Sequence, residues 1–105
     1  MLIRSKVVIT LMWLLSTGLV WGQSGTTLAE EYSKAGEFEK AANEYAKLLR
    51  TDVTWIRLSR YINSLQKSNK VDEANKYLRK QQKSDEPNRF YYELLLGQLA
   101  TQQGD

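Results

Sequence analysis

The sequence contains no cysteine and no histidine among its 105 residues. Without cysteine the chain can form no disulfide and offers no thiolate as nucleophile or metal ligand. Without histidine it lacks the commonest transition-metal ligand and the side chain that most often serves as a general base near neutral pH. The two absences remove most arrangements used for nucleophilic catalysis and for binding transition metals. We therefore expect a protein that is not an enzyme and that has no cofactor.

Proline and glycine are also scarce, with one proline and six glycines in the chain. Beyond Gly22, no stretch of β-branched residues alternates with the period of two that is typical of a strand. Apolar residues recur instead at spacings of three and four, which is the pattern of an amphipathic helix. The sequence therefore predicts an all-α fold built from helical hairpins.

The chain lacks a large excess of charge of either sign, with 15 basic and 12 acidic residues. Two of the basic residues, Arg4 and Lys6, belong to an N-terminal segment that contains no acidic residue. Removal of that segment leaves 13 basic and 12 acidic residues and a net charge of +1. Such an interspersed, nearly neutral balance gives no electrostatic footprint for nucleic acid, so we expect no nucleic-acid partner.

The N-terminal segment has the organisation of a secretory signal peptide. Arg4 and Lys6 precede an uncharged, largely apolar run over residues 7–21, and small residues follow from Gly22. We predict a signal peptide over residues 1–22 and a helical region over residues 23–105. The protein would then be exported to a bacterial periplasm or cell envelope.

An uncleaved membrane anchor is the alternative interpretation of the same apolar run. A spanning helix needs about 20 predominantly apolar residues, and the run over residues 7–21 is shorter and interrupted by Thr10, Ser16, Thr17 and Gly18. If the segment were retained, the protein would be anchored in the inner membrane. Contact with a membrane is expected only in that case.

Two later stretches of the chain repeat each other in the same order. The same interval along the chain separates Gly36 from Asn69, Ala41 from Ala74, and Tyr45 from Leu78. A period of this size is typical of helical repeats. Five helices are predicted, in the following places: from Thr27 to Gly36, from about Phe38 to the break at Thr51, from there to the turn at Asn69, from Val71 to about Gln81, and from Asn88 to about Gln102.

At these residues the chain resembles tetratricopeptide repeat (TPR) proteins, whose pattern contains a Leu-Gly pair, a tyrosine-like position, a turn glycine, an alanine and a later aromatic residue. The first copy has Leu28, Ala29, Tyr32, Gly36, Ala41 and Tyr45. The second has Tyr61, Ile62, Leu65, Asn69, Ala74 and Leu78, with Pro87 beyond its end. The third has Leu96, Gly97, Ala100 and Gly104. The resemblance implies an α-solenoid of stacked antiparallel hairpins with about two and a half repeats.

The third copy lacks its second helix within the given sequence. Its first helix, over residues 88–102, is far more apolar than the others, and a repeat array is normally capped by a polar helix. We expect that the chain is the N-terminal piece of a longer protein. Self-association through the apolar helix is the alternative.

The resemblance also implies where a partner binds, because the first helix of each TPR hairpin lines a concave groove. The candidate groove residues are Glu30, Ser33, Lys34, Asn63, Gln66, Lys67, Gln98, Thr101 and Gln102. Their mixed hydrogen-bonding side chains suit an extended peptide or a polar protein surface. We expect an exported interaction scaffold. The alternatives are the sensory or docking region of a larger enzyme or signalling protein, and a membrane-anchored assembly factor.

Two charged patterns have competing interpretations. Adjacent carboxylates occur at Glu30-Glu31, Asp72-Glu73 and Asp85-Glu86, but catalytic pairs need burial and a facing partner, so solvated or helix-capping charge is preferred. Lys76, Arg79, Lys80 and Lys83 form a short basic run. A solvated helix face is the preferred interpretation of that run, and contact with an acidic partner or with membrane headgroups is the alternative.

Overall fold

The computed structural model describes the backbone of residues 24–102 and the side chains of residues 28–102. The described chain consists of α1 (Ser24–Lys34), α2 (Phe38–Thr51), α3 (Trp55–Lys67), α4 (Val71–Ser84), a short 3-10 turn (Glu86–Asn88) and α5 (Arg89–Gln102). This stretch contains no strand, so the all-α prediction is confirmed. The predicted signal peptide over residues 1–22 lies outside the described residues. Thr27 lies inside α1, so the predicted start of the first helix is wrong by about one turn.

Two residues with left-handed backbone set the turns after α1 and α3. Gly36 has a φ of 77° and Asn69 a φ of 61°, as the repeat in the sequence predicts. Glycine adopts this conformation without steric cost, and asparagine is one of the few other residues that adopt it readily. The chain can therefore reverse direction within a few residues at both places.

The backbone hydrogen bonds at the two turns also correspond. Gly36 donates to the carbonyl of Ser33 at 3.1 Å, and Glu37 to that of Tyr32 at 2.9 Å. At the equivalent positions of the second copy, Asn69 donates to Gln66 at 3.1 Å and Lys70 to Leu65 at 2.8 Å. Both sets form the Schellman arrangement, which satisfies the free carbonyls at a helix end. The repeat in sequence thus corresponds to a repeat in local structure.

Side chains fix the connection between α2 and α3. The Thr54 hydroxyl accepts a hydrogen bond from the backbone N–H of Arg57 at 3.2 Å, which caps the start of α3. The Arg57 guanidinium donates to the carbonyl of Asp52 at 3.0 Å. Cationic donors satisfy the exposed carbonyls at a helix C-terminus, so this one side chain joins the end of α2 to the start of α3.

The apolar stripes of the five helices meet in one continuous core. Its buried members are Ala29, Ala41, Ala42, Tyr45, Leu49, Leu58, Tyr61, Ile62, Leu65, Ala74, Leu78, Tyr92, Leu95 and Leu99. The most extensive backbone contacts join α1 to α2, α2 to α3, and α4 to α5. Helices α3 and α4 also touch, but over fewer residues. Each helix from α2 onward therefore packs on the helix before it. The contact between α3 and α4 is the least extensive of these.

The approach of α3 to α4 is looser than that of α1 to α2. Ala29 of α1 and Ile62 of α3 occupy equivalent positions of the two copies and are both buried. The buried isoleucine is larger than the buried alanine, and Ile62 lies on the face of α3 that is turned toward α5. The second hairpin is therefore not a copy of the first in its packing.

The predicted register of the third copy is wrong. In the first copy the equivalent residues, Ala29 and Tyr32, are buried and half-buried, whereas Gly97 and Ala100 are both exposed. Tyr92, Leu95 and Leu99 are the buried residues of α5. Their spacing of three and four residues puts three large side chains on one face, and burying that face removes more apolar surface from water than the Gly97 register would. On its other side α5 leaves Phe90 67% exposed and Leu94 41% exposed.

The two left-handed turns give a reciprocal test. Gly36→Ala should destabilise the fold by about 1–2 kcal/mol, because a β-carbon disfavours this backbone conformation. Asn69→Gly should change stability by only about a few tenths of a kcal/mol, since glycine accepts the same conformation. Chemical denaturation of both variants would measure the difference. Equal losses at the two positions would contradict the assigned turns.

Overpacking tests the helix contacts around the two repeated alanines. Ala41→Leu should lower the free energy of unfolding by on the order of 1–3 kcal/mol, because Ala41 is fully buried where α1 and α2 pack closely. Ala74→Leu should cost less, since α3 and α4 contact each other over fewer residues than α1 and α2 do. The exposed Ala100 gives a matched control, and Ala100→Leu should leave the melting temperature nearly unchanged. A neutral Ala41→Leu would contradict this packing.

Candidate functional site

A narrow cleft between α3 and α5 is the candidate site. It has a volume of about 110 Å³. Its lining residues are Ser59, Ile62, Asn63 and Gln66 from α3, and Leu95, Gln98, Leu99 and Gln102 from α5. On each helix the four residues have the spacing i, i+3, i+4 and i+7, which places them on one face. Two such faces turned toward each other form the cleft.

The cleft has an apolar floor and an amide-rich rim. Ile62, Leu95 and Leu99 are almost fully buried, with at most 3% of each residue exposed. The rim consists of four amide side chains and one hydroxyl. Across the cleft, the Gln66 amide donates a hydrogen bond to the Gln102 carbonyl oxygen. This bond links α3 directly to α5.

The side chains of the rim are uncharged, and they can both donate and accept hydrogen bonds. Each amide side chain offers two N–H donors and one carbonyl acceptor, which are the same kinds of group that a peptide backbone presents. Among the residues whose side chains are described, no ionisable one lines the cleft. Its volume is below the range of about 300–1,000 Å³ that is typical of small-molecule sites. The arrangement therefore suits a backbone segment or a single polar side chain better than a compact ligand.

The structure brings together four of the nine predicted groove residues: Asn63, Gln66, Gln98 and Gln102. The others lie elsewhere. Glu30 accepts a hydrogen bond from the Arg60 guanidinium at 2.7 Å, which connects α1 to α3. Ser33 is half-buried and Lys34 is exposed on α1. Thr101 donates to the carbonyl of Gly97 in its own helix at 3.0 Å.

Lys67 lies apart from the cleft. Its ammonium group is 5.0 Å from the centroid of the Phe38 ring. An aromatic face attracts a cation, so this contact holds Lys67 against the first turn of α2. Both residues line an open depression of about 550 Å³ around the turn at Gly36.

Sequence reasoning missed several residues of the site. Ser59 and the buried Ile62, Leu95 and Leu99 belong to the cleft, yet none was among the candidates. Asn63 follows Ser59 by four residues and Gln98 follows Leu95 by three. Such spacings indicate that the two residues of each pair lie on the same face of their helix. The ion pair between Arg60 and Glu30, which lies outside the cleft, was not predicted either, because the two residues are on different helices and far apart along the chain.

The carboxylate at Asp85 has a structural partner. Asp85 accepts hydrogen bonds from the Tyr92 hydroxyl and, at 3.0 Å, from the Asn88 amide. These bonds lower the pKa of Asp85 below its usual range. Burial, reinforced by the bond to Asp85, raises the pKa of Tyr92. The contact joins the end of α4 to α5 across the 3-10 turn.

The remaining acidic residues do not form a metal site within the described part of the chain. Residues 24–102 contain no group of three or more carboxylates placed to hold a metal ion. Asp72 and Glu73 are exposed in the first turn of α4, where negative charge offsets the helix dipole.

Comparison with protein-family models, curated protein sequences and solved structures finds no match for this chain. Within residues 24–102, none of the helices combines the length and the apolar character needed to cross a membrane. The apolar run over residues 7–21 falls outside that range.

The contact between Asp85 and Tyr92 predicts a pH dependence of stability. The pKa of Asp85 is lowered on folding, so its contribution should be present above the unfolded pKa of about 3.9 and lost as the pH falls through the folded value. Asp85→Asn should cost about 1 kcal/mol near neutral pH, a modest value because water partly screens the half-buried carboxylate. Its difference from the wild type should shrink below about pH 4.

Tyr92→Phe gives the matched variant, since it removes the hydroxyl and keeps the buried ring. Denaturation of the two single variants and the double variant, at neutral and acidic pH, would isolate the coupling between the side chains. Additive losses at neutral pH would contradict the contact.

Proposed function

We propose that the protein is a non-enzymatic interaction module of TPR type, a solenoid of antiparallel helical hairpins whose inner face binds an extended peptide or protein segment. One observation carries the proposal. The amides of Asn63, Gln66, Gln98 and Gln102 converge on a single cleft above an apolar floor. The cleft offers both donors and acceptors to a peptide backbone.

The repeated local structure supports the solenoid part of the proposal. Helix α2, Phe38–Thr51, and helix α4, Val71–Ser84, have the same length and begin and end at equivalent positions of the two copies. The bonds from Asp52 to Leu48 and from Asp85 to Gln81 are also equivalent to each other. Equal lengths and equal end contacts are typical of a repeated hairpin unit.

Binding in the cleft would exchange existing contacts for new ones. The bond between Gln66 and Gln102 closes part of the rim, and an incoming backbone would replace it with bonds to both amides. Such an exchange is nearly neutral in energy for each bond. Affinity would therefore depend on several amides acting together.

The N-terminal segment bears on where the protein is located. We infer export to a bacterial periplasm or envelope from the signal-peptide pattern of residues 1–22. A mature protein that begins near Gln23 would support export with cleavage, and mass spectrometry would detect it. A retained N-terminus would favour the membrane-anchored assembly factor. A catalytic domain in a longer reading frame would favour the docking region of an enzyme or signalling protein.

Peptide binding with cleft variants tests the proposed function. A library of short random-sequence peptides would be screened against the protein, and the tightest binder would be titrated with side-chain amide signals followed by NMR. Signals from Asn63, Gln66, Gln98 and Gln102 should shift. The double variant with Asn63→Ala and Gln98→Ala should bind about tenfold more weakly, since two hydrogen bonds are lost.

Asn43→Ala is the matched control, because Asn43 is an exposed amide on α2 away from the cleft. It should leave the affinity unchanged. Shifts confined to residues outside the cleft, or equal losses in the control and the double variant, would contradict the proposal.

A further inference from the structure

A second concavity lies between α2 and α4 and shares no lining residue with the cleft. It has a volume of about 450 Å³, within the range of about 300–1,000 Å³ typical of binding pockets. Its lining residues are Ala46, Leu49, Arg50, Val53, Tyr61, Tyr77 and Gln81. We call it the tyrosine pocket.

The tyrosine pocket has an aromatic and aliphatic floor. The rings of Tyr61 and Tyr77 meet edge to face, with their centroids 4.9 Å apart. Burial raises the pKa of both tyrosines, that of Tyr77 to about 12, so both are neutral near pH 7. Leu49 and Val53 complete an apolar surface that would accept one large side chain.

Cationic side chains border this pocket. Arg50 is exposed at its rim. On α4, four exposed cations recur at positions i, i+3, i+4 and i+7, and we call them the basic stripe: Lys76, Arg79, Lys80 and Lys83. Lys80 follows Tyr77 by three residues and precedes Gln81, so the stripe adjoins the pocket along the helix.

The basic stripe differs from several other cations of the described chain in having no ion pair. Five other basic residues each lie within 4.0 Å of a carboxylate: Lys40, Lys47, Arg60, Lys70 and Arg89. None of the stripe residues does so within residues 28–102. Two carboxylates also act on the pocket, Glu73 on Tyr61 and Asp85 on Tyr77, but the four stripe cations and Arg50 outnumber them. Positive charge therefore accumulates beside the pocket.

We propose that the tyrosine pocket and the basic stripe form a second binding surface, for an acidic peptide that carries one aliphatic or aromatic anchor residue. The anchor enters the pocket, and the flanking carboxylates face Arg50 and Lys80, the two cations that border it. An apolar anchor surrounded by complementary charge gives both affinity and orientation. A flat anionic membrane would contact the stripe and leave the pocket empty, so the pocket favours a peptide.

Fluorescence anisotropy with two designed probes tests the proposal. The first probe is a labelled peptide of aspartate and glutamate with one central phenylalanine, and the second has serine in place of phenylalanine. The phenylalanine probe should bind about tenfold more tightly, since it buries one aromatic side chain. Its affinity should fall as salt is added, because exposed charges are screened.

Three variants assign the binding to this surface. Ala46→Phe fills the pocket from its edge and should remove the preference for the phenylalanine probe. Lys80→Glu should weaken binding of both probes about tenfold. Lys34→Glu makes the same charge change on an exposed cation of α1 and should weaken binding less than about twofold. Melting temperatures would verify that each variant is folded.

Several results would overturn this inference. Equal binding of the two probes, or equal losses in Lys80→Glu and Lys34→Glu, would indicate nonspecific attraction between charges. Binding to phosphatidylglycerol vesicles without binding to the phenylalanine probe would indicate a membrane contact instead. The double variant at Asn63 and Gln98 should bind both probes normally, which separates this surface from the cleft between α3 and α5.

Discussion

The fold depends on two residues that accept a left-handed backbone at equivalent points of the chain. Gly36 and Asn69 reverse the chain after α1 and α3, and the same Schellman bonds close both helix ends. Because each turn is short, α2 returns alongside α1, and α4 returns alongside α3. Both hairpins contribute to the continuous core that runs through all five helices.

The two hairpins differ at one buried position and in how extensively their helices contact each other. Ile62 stands where the first hairpin has Ala29, and α3 approaches α4 less closely than α1 approaches α2. Space near Tyr61 and Tyr77 remains open toward α2 as the tyrosine pocket. Ile62 also forms part of the floor of the amide-rimmed cleft. Ile62 therefore contributes directly to the cleft, whereas the tyrosine pocket is lined by other residues.

Much of the architecture could be predicted from local patterns, and the candidate site only in part. The helices from α2 onward, the turn at Asn69 and the buried alanines follow from apolar spacing and turn chemistry, which act over a few residues. The register of α5 could not be predicted in this way, because Leu96-Gly97 matched a short pattern while packing buried Tyr92, Leu95 and Leu99 instead. Lys67 was assigned to the groove by its position, but the Phe38 ring from another helix holds it elsewhere.

The sequence by itself determined the all-α class, the reversal points and the face that most helices turn inward, because helical period and backbone preference are local properties. Tertiary structure alone decided which polar side chains share a cleft, which cations are paired and where the chain leaves a pocket. These outcomes depend on the distance and rotation between helices, which are set by side-chain volume at buried positions such as Ala29 in the first hairpin and Ile62 in the second.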